Sequence, residues 1–248
     1  MSDSSAKVTA LVTGGSRGIG VIYADRLAKR GYNLILVGRS ETQRRTLSAR
    51  LTKETGRSVT PLITMLVNKA GIGSITPLLN TEVDKTERIP LLITALTRLT
   101  YAAPPAFVAR SAGTIINIAS VVGISPETLN GVYGATKAYV VAFSLSLQHE
   151  LADKGIRIQA ELPGVTATDL WEIAGLPWQK LPASIVMSPK DMVDAALVGL
   201  DQGELVTIPG LHDGDEWTHF EAARRALSQR FGNSTPAPRY GIGLPQSA

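Results

Sequence analysis

The chain of 248 residues has no cysteine. Disulfide staples and thiolate metal sites are thereby excluded, and the expected setting is a reducing, cytoplasmic one. Histidine is nearly as scarce. His149, His212 and His219 are too scattered to form a metal site, so no metal is expected. No apolar run approaches the roughly 20 residues that a membrane helix needs, so no membrane association is expected. Charge of either sign is sparse and balanced, with 25 basic against 21 acidic residues and no basic block. That argues against nucleic acid as a partner but leaves room for a phosphate-bearing small molecule. The opening "MSDSSAK" is short and polar, unlike a secretory signal.

What is present is a regular alternation. Hydrophobic residues make up 44% of the chain, enough for a sizeable core. "KVTALVTGG", "NLILVGRS", "TMLVNKAG", "GTIINIAS", "RIQAELPG" and "ELVTIPG" are short, almost continuously apolar runs, as strands covered on both faces are. Helical patterns lie between them, at residues 18–30, 84–109, 132–154 and 189–202. The last opens on Ser188-Pro189, a capping serine followed by proline at the first helical position. Alternating strands and helices predict an α/β fold, a doubly wound parallel sheet in one domain. The tail at 232–248 is rich in Gly, Pro and Ser and is expected to be loosely held.

The first strand runs directly into "TGGSRGIG", whose Gly14, Gly18 and Gly20 are spaced G-x-x-x-G-x-G. After a strand and before a helix, such a loop turns tightly and offers backbone N–H groups to a phosphate. An acidic residue at the end of the second strand would hold a ribose 2′-hydroxyl. This chain has Arg39 there, and Arg17 within the loop; two guanidinium groups suit a 2′-phosphate, so NADP(H) is the expected cofactor. Farther on, Tyr133 precedes Lys137 by one helical turn. An ammonium beside a phenol stabilises the phenolate, which makes the pair a candidate proton donor and acceptor.

"TGGSRGIG", "NKAG", "INIAS", "YGATK" and "LPGVTAT" occur in that order. Together they resemble the short-chain dehydrogenase/reductase family over about residues 7 to 210. The resemblance implies a Rossmann-type fold and NADP(H)-dependent interconversion of a carbonyl and an alcohol. Ser120 would hold the substrate oxygen, Tyr133 would be the acid/base, and Lys137 would lower its pKa and hold the nicotinamide ribose. Gly14, Ser16, Arg17, Gly18, Ile19 and Gly20 would cradle the cofactor. Arg39, Asn68, Ala70, Gly71, Pro163, Gly164 and Thr168 would complete its site. Residues 168–187 would cover the substrate, with Trp171, Leu176, Leu181 and Trp178 lining an apolar pocket for a hydrophobic or aromatic carbonyl or alcohol. A homodimer or homotetramer built on the helices at 84–109 and 132–154 is implied too.

Three features depart from the family pattern. The usual "NNAG" is Asn68-Lys69-Ala70-Gly71 here, a single change read as harmless. The asparagine that completes a proton relay is matched by Leu92, with Pro90 nearby, where it would weaken a helix interior by about 3 kcal/mol. Finally, "ETGRSVTPLITMLVNKAG" leaves no room for the third strand and the crossover after it, so a discontinuity is expected between Ser58 and Leu66. These departures keep an alternative open, an NADP(H)-binding sensor or scaffold that does not turn over. A dehydratase or epimerase is disfavoured by chain length and by the loop spacing.

Overall fold

A computed structural model describes residues 8–38, 40–57, 63–71, 79, 90–128 and 131–242. Six parallel strands, β1 (Thr9–Thr13), β2 (Asn33–Val37), β3 (Met65–Asn68), β4 (Gly113–Ile118), β5 (Ile156–Glu161) and β6 (Val206–Thr207), form one sheet in the order β2-β1-β3-β4-β5-β6. Helices α1 (Gly18–Lys29), α2 (Glu41–Thr55), α3 (Pro90–Ala102), α4 (Pro104–Val108), α5 (Gly131–Leu151), α6 (Leu170–Ile173) and α7 (Pro189–Gln202) connect them. This is the expected doubly wound Rossmann-type sheet.

Strand side chains alternate between the two faces. Ala10, Val12, Met65, Val67 and Ile116 meet Leu27 of α1, Leu47 and Leu51 of α2, and Met192 and Leu197 of α7 on one face. Leu66, Ile115 and Ile158 meet Phe107 of α4 and Leu147 and Leu151 of α5 on the other. Both faces are covered, which is why the strands read as unbroken apolar runs. Arg26 of α1 locks onto Asp194 of α7 with an Nε–Oδ1 distance of 2.5 Å. The Ser188 hydroxyl caps α7 by accepting from the Asp191 amide at 3.0 Å, as predicted.

The helix expected over 84–109 is corrected at one point: its described part, from Pro90, stops at Ala102, and Pro104 opens the separate α4. Its residues 84–89, and the side chain of Leu92, lie outside the described residues.

No third strand flanks β2 among the described residues. Thr64 instead leads straight into β3, its amide donating to the Thr9 carbonyl at 2.6 Å. Of the span between Ser58 and Leu66 where the discontinuity is expected, residues 63–66 lead directly into β3, and 58–62 lie outside the described residues. The join has a topological signature. β1-α1-β2 steps one way along the sheet with its helix on the first face, whereas β2-α2-β3 steps the other way with its helix on that same face. The two crossovers therefore have opposite hands, although about 98% of such connections are right-handed. β5-α7-β6 shares the reversed hand, while β4-α5-β5, with its helix on the second face, does not.

Contacts set residues Leu211–Ala248 apart as a second unit. It holds α8 (Gly214–Ser228), a helix the sequence reading did not anticipate, capped by the Asp213 carboxylate, which accepts from the Asp215 amide at 3.0 Å. Trp217 and Phe220 of α8 pack ring to ring at 5.4 Å. No helix among the described residues is long and apolar enough to cross a membrane, and no metal-ligand cluster occurs among them.

Candidate active site

The winding direction reverses between β1 and β3, and the C-terminal ends of the strands on either side of that point form a crevice, the usual ligand site in open α/β sheets. On its floor, the β1–α1 loop takes left-handed conformations at Gly14 (φ +65) and Gly18 (φ +51), where side chains are strained. A Cβ on Gly20 would strike the Gly14 carbonyl. Gly15 donates its amide to the Val37 carbonyl at 3.0 Å, tying the loop to β2. Arg17 sits at the α1 N-cap with no side-chain cap, which leaves the first turn's N–H groups facing the crevice mouth. A backbone this close and this short of side chains fits a dinucleotide diphosphate.

Around the adenosine end of such a cofactor, the Arg17 guanidinium donates to Gln43 at 2.9 Å. Arg44 of α2 brings its Cδ to 3.7 Å from where a Cβ on Gly38 would stand, and its Nε is buried with no hydrogen-bond partner among the described residues. Gln43 and Arg44 escaped the sequence reading because they lie on a helix that otherwise reads as solvated. Arg39 lies outside the described residues.

Opposite the loop, Thr13 organises the end of β3. Its hydroxyl donates to the Val67 carbonyl and accepts from the amides of Lys69 (2.8 Å) and Ala70 (3.1 Å). Asn68 is a joint of the core, with its amide donating to Thr100 and Asn117 at 3.1 and 2.9 Å. Its side chain is thus committed to the core, and Asn68 is not among the residues lining the cavity described below. Gly71 lines the crevice, as do Pro163, Gly164 and Thr168 on the far wall. The Thr168 methyl would lie 3.4 Å from a Cβ on Gly18.

Ser120, Tyr133 and Lys137 meet in this same cavity, of about 300 Å³. Ser120 is buried at the end of β4, with its hydroxyl donating to the Pro163 carbonyl at 3.2 Å. Burial pushes the Tyr133 phenol up to about 12, while the adjacent Ser120 hydroxyl pulls the other way. The Lys137 ammonium lies 5.6 Å from the centre of the Tyr133 ring and donates to the Ile118 carbonyl at 2.9 Å. Lys137 is thus engaged by backbone and is not among the groups lowering the Tyr133 pKa in this geometry. Burial, joined by the like charge of Lys69, pushes the ammonium itself down to about 8, against the pull of Glu161.

The outer wall is apolar, built from Val121, Val122, Leu170, Trp171, Leu176 and Leu181 among others. Leu176 folds back through its amide bond to the Trp171 carbonyl at 3.0 Å. Trp178 starts a separate 3-10 turn after Pro177 and is not among the residues lining this cavity.

Beneath the site lies a group not foreseen from sequence. Glu161, at the end of β5, is fully buried and accepts from the Tyr23 hydroxyl at 2.5 Å, while its Oε1 has no partner among the described residues. Burial raises its pKa to about 8, opposed by the Tyr23 hydrogen bond and the Lys137 charge.

Residues 8–64 and 60–175 match the model of the short chain dehydrogenase family. The chain belongs to that family. The two matched stretches meet at the link between α2 and β3. A short-chain dehydrogenase from Sphingobium yanoikuyae, solved in complex with NADPH, is 40% identical with a TM-score of 0.88, covering 92% of this chain and 98% of that one. A bulky-bulky ketone specific alcohol dehydrogenase from Comamonas testosteroni is 37% identical with a TM-score of 0.84, covering 94% and 98%. The very-long-chain 3-oxoacyl-CoA reductase of Bos taurus is 34% identical over 214 residues, 76% of this chain and 67% of that protein. The Rattus norvegicus protein of the same name is 35% identical over 191 residues, 66% of this chain and 61% of that protein, so the chain spans about two thirds of these relatives' length or less.

Proposed function

We propose that this short-chain dehydrogenase is an NADP(H)-dependent oxidoreductase interconverting an apolar ketone and its alcohol. The observation that carries the reading is the meeting of Ser120, Tyr133 and Lys137 in one cavity that opens onto the glycine loop. The NADPH complex of the Sphingobium yanoikuyae relative and the bulky-ketone specificity named for the Comamonas testosteroni relative support the cofactor and the substrate class.

When bound, NADP(H) supplies a hydride to the carbonyl carbon or takes it back from the alcohol. Ser120 donates a hydrogen bond to the substrate oxygen by giving up its bond to the Pro163 carbonyl. Tyr133 passes its phenolic proton to that oxygen in reduction and recovers it in oxidation. A phenol held near 12 is a reluctant acid, so the phenolate needs a nearby cation. Lys137 is that cation once it exchanges the Ile118 carbonyl for the ribose and the phenolate edge. The apolar wall at Trp171, Leu176 and Leu181 excludes water and favours substrates without charge near the carbonyl. The chain is expected to work in the cytoplasm as a homodimer or homotetramer. A cofactor-binding scaffold would have no use for the three converging hydroxyl and ammonium groups.

The test is NADPH oxidation with a panel of bulky ketones, on the wild type and on Tyr133→Phe. The variant should retain NADPH binding and lose turnover by about a hundredfold or more, since only the proton donor is gone. Retention of more than a few per cent of the activity would sink the assignment of Tyr133.

A further inference from the structure

The geometry points to Lys69 as a cation that clamps the cofactor diphosphate onto the glycine loop, an assignment that rests on the cofactor reading above. Lys69 follows β3 directly. The bond from its amide to the Thr13 hydroxyl, at 2.8 Å, fixes its backbone beside the end of β1. From there the side chain runs across the loop, its Cδ only 3.0 Å from where a Cβ on Gly14 would stand. A side chain at Gly14, already strained by φ +65, would press on this stem and on the Ala70 backbone 3.2 Å away.

Lys69 lines the same cavity as Ser120, Tyr133 and Lys137. Among the described residues its side chain makes no hydrogen bond. Burial disfavours its charge against the attraction of Asp169, and the Lys69 charge in turn disfavours that of Lys137. Two ammonium groups, one carboxylate and the N–H groups of the first α1 turn leave this part of the cleft with an excess of positive charge. A dianionic diphosphate fits that excess, and neutral ligands do not. Arg17 is directed elsewhere, toward Gln43 on the β2 side of β1, whereas Lys69 approaches from the β3 side. The two cations therefore divide the cofactor between them, Arg17 at the adenosine 2′-phosphate and Lys69 at the diphosphate.

The test measures binding of NADPH by fluorescence, and binding of adenosine 2′-monophosphate by displacement of NADPH, on wild type, Lys69→Asn and Lys69→Arg. The 2′-monophosphate carries the phosphate assigned to Arg17 but no diphosphate. Lys69→Asn should bind NADPH about ten- to a hundredfold more weakly, the usual loss for one charged hydrogen bond. Its affinity for the 2′-monophosphate should stay within about twofold of wild type, and Lys69→Arg should recover most of the NADPH affinity. The proposal is overturned if Lys69→Asn holds NADPH as tightly as wild type, or if both ligands weaken in parallel, the pattern of a purely structural lysine. A wild type that does not bind NADPH at all would overturn the cofactor reading itself, and this proposal with it.

Discussion

Replacing Glu161 with glutamine should remove most of the protein's loss of stability between pH 5 and 8. Glu161 is completely buried, and its pKa rises from 4.5 to about 8 on folding. Between those values the folded protein holds a proton that the unfolded chain releases, so stability must fall as pH rises through the window. One proton is worth about 1.4 kcal/mol per pH unit, which sets an upper bound of about 5 kcal/mol over the interval. Lys137 acts in the opposite sense and higher up. Its folded pKa is lowered from 10.5 to about 8, so its contribution returns stability only above pH 8. Glu161 also supports the Lys137 charge, so removing it lowers the Lys137 pKa further, and any slope left in the variant below pH 8 is upward, opposite to that of the carboxyl. Glutamine keeps the volume and an oxygen for the Tyr23 hydroxyl but cannot ionise. Urea unfolding at half-unit steps of pH should show the wild type losing several kcal/mol across the range and Glu161→Gln nearly flat. The two should agree within about 1 kcal/mol at pH 5. Parallel curves, with a constant offset from pH 5 to 8, would refute the argument that Glu161 ionises against burial.

Two further outcomes are expected. Arg39→Asp should shift coenzyme preference from NADPH toward NADH by about tenfold or more, because a carboxylate repels a 2′-phosphate and accepts from a 2′-hydroxyl; steady-state kinetics with both coenzymes would show it, and a wild type indifferent to the phosphate would remove the basis for the claim. Light scattering at micromolar concentration should give a multiple of 26.3 kDa. Tyr101 of α3 stacks on Phe143 of α5 at 6.3 Å yet is 71% exposed, an aromatic surface suited to a second copy, and a monomer at all concentrations would rule that use out.

Much of this was legible because burial on two faces imposes an unmistakable pattern. "GTIINIAS" has to be an interior strand, and Ser188-Pro189 has to start a helix. Ser120, Tyr133 and Lys137 could be picked out because their spacing from the glycine loop onward follows a known order. Glu161 was invisible for the opposite reason. A glutamate at a strand end normally faces water, and only Tyr23, 138 residues away, makes its burial tolerable. Lys69 was passed over as a single change in a small-residue turn, since nothing local reveals that its stem crosses Gly14. Trp178 was placed on the substrate wall by family resemblance; it begins a 3-10 turn after Pro177 and is not among the residues lining the cavity.

The reversed hand of β2-α2-β3 has a meaning for how chains of this kind lengthen or shorten. Suppose a strand were added on the outer side of β2, followed by a helix on the α5 face. The single reversed step would then become two ordinary ones, outward over the α2 face and back over the α5 face. Every existing strand could keep its neighbour on the catalytic side. A strand–helix unit added between Gly56 and Ile63 would leave the pairing of β3 with β4 and of β4 with β5 as it is, and with it the strand ends that carry the site. Natural variation in length among close relatives should concentrate there, and reinserting such a unit by design should stabilise the protein without remaking its active site.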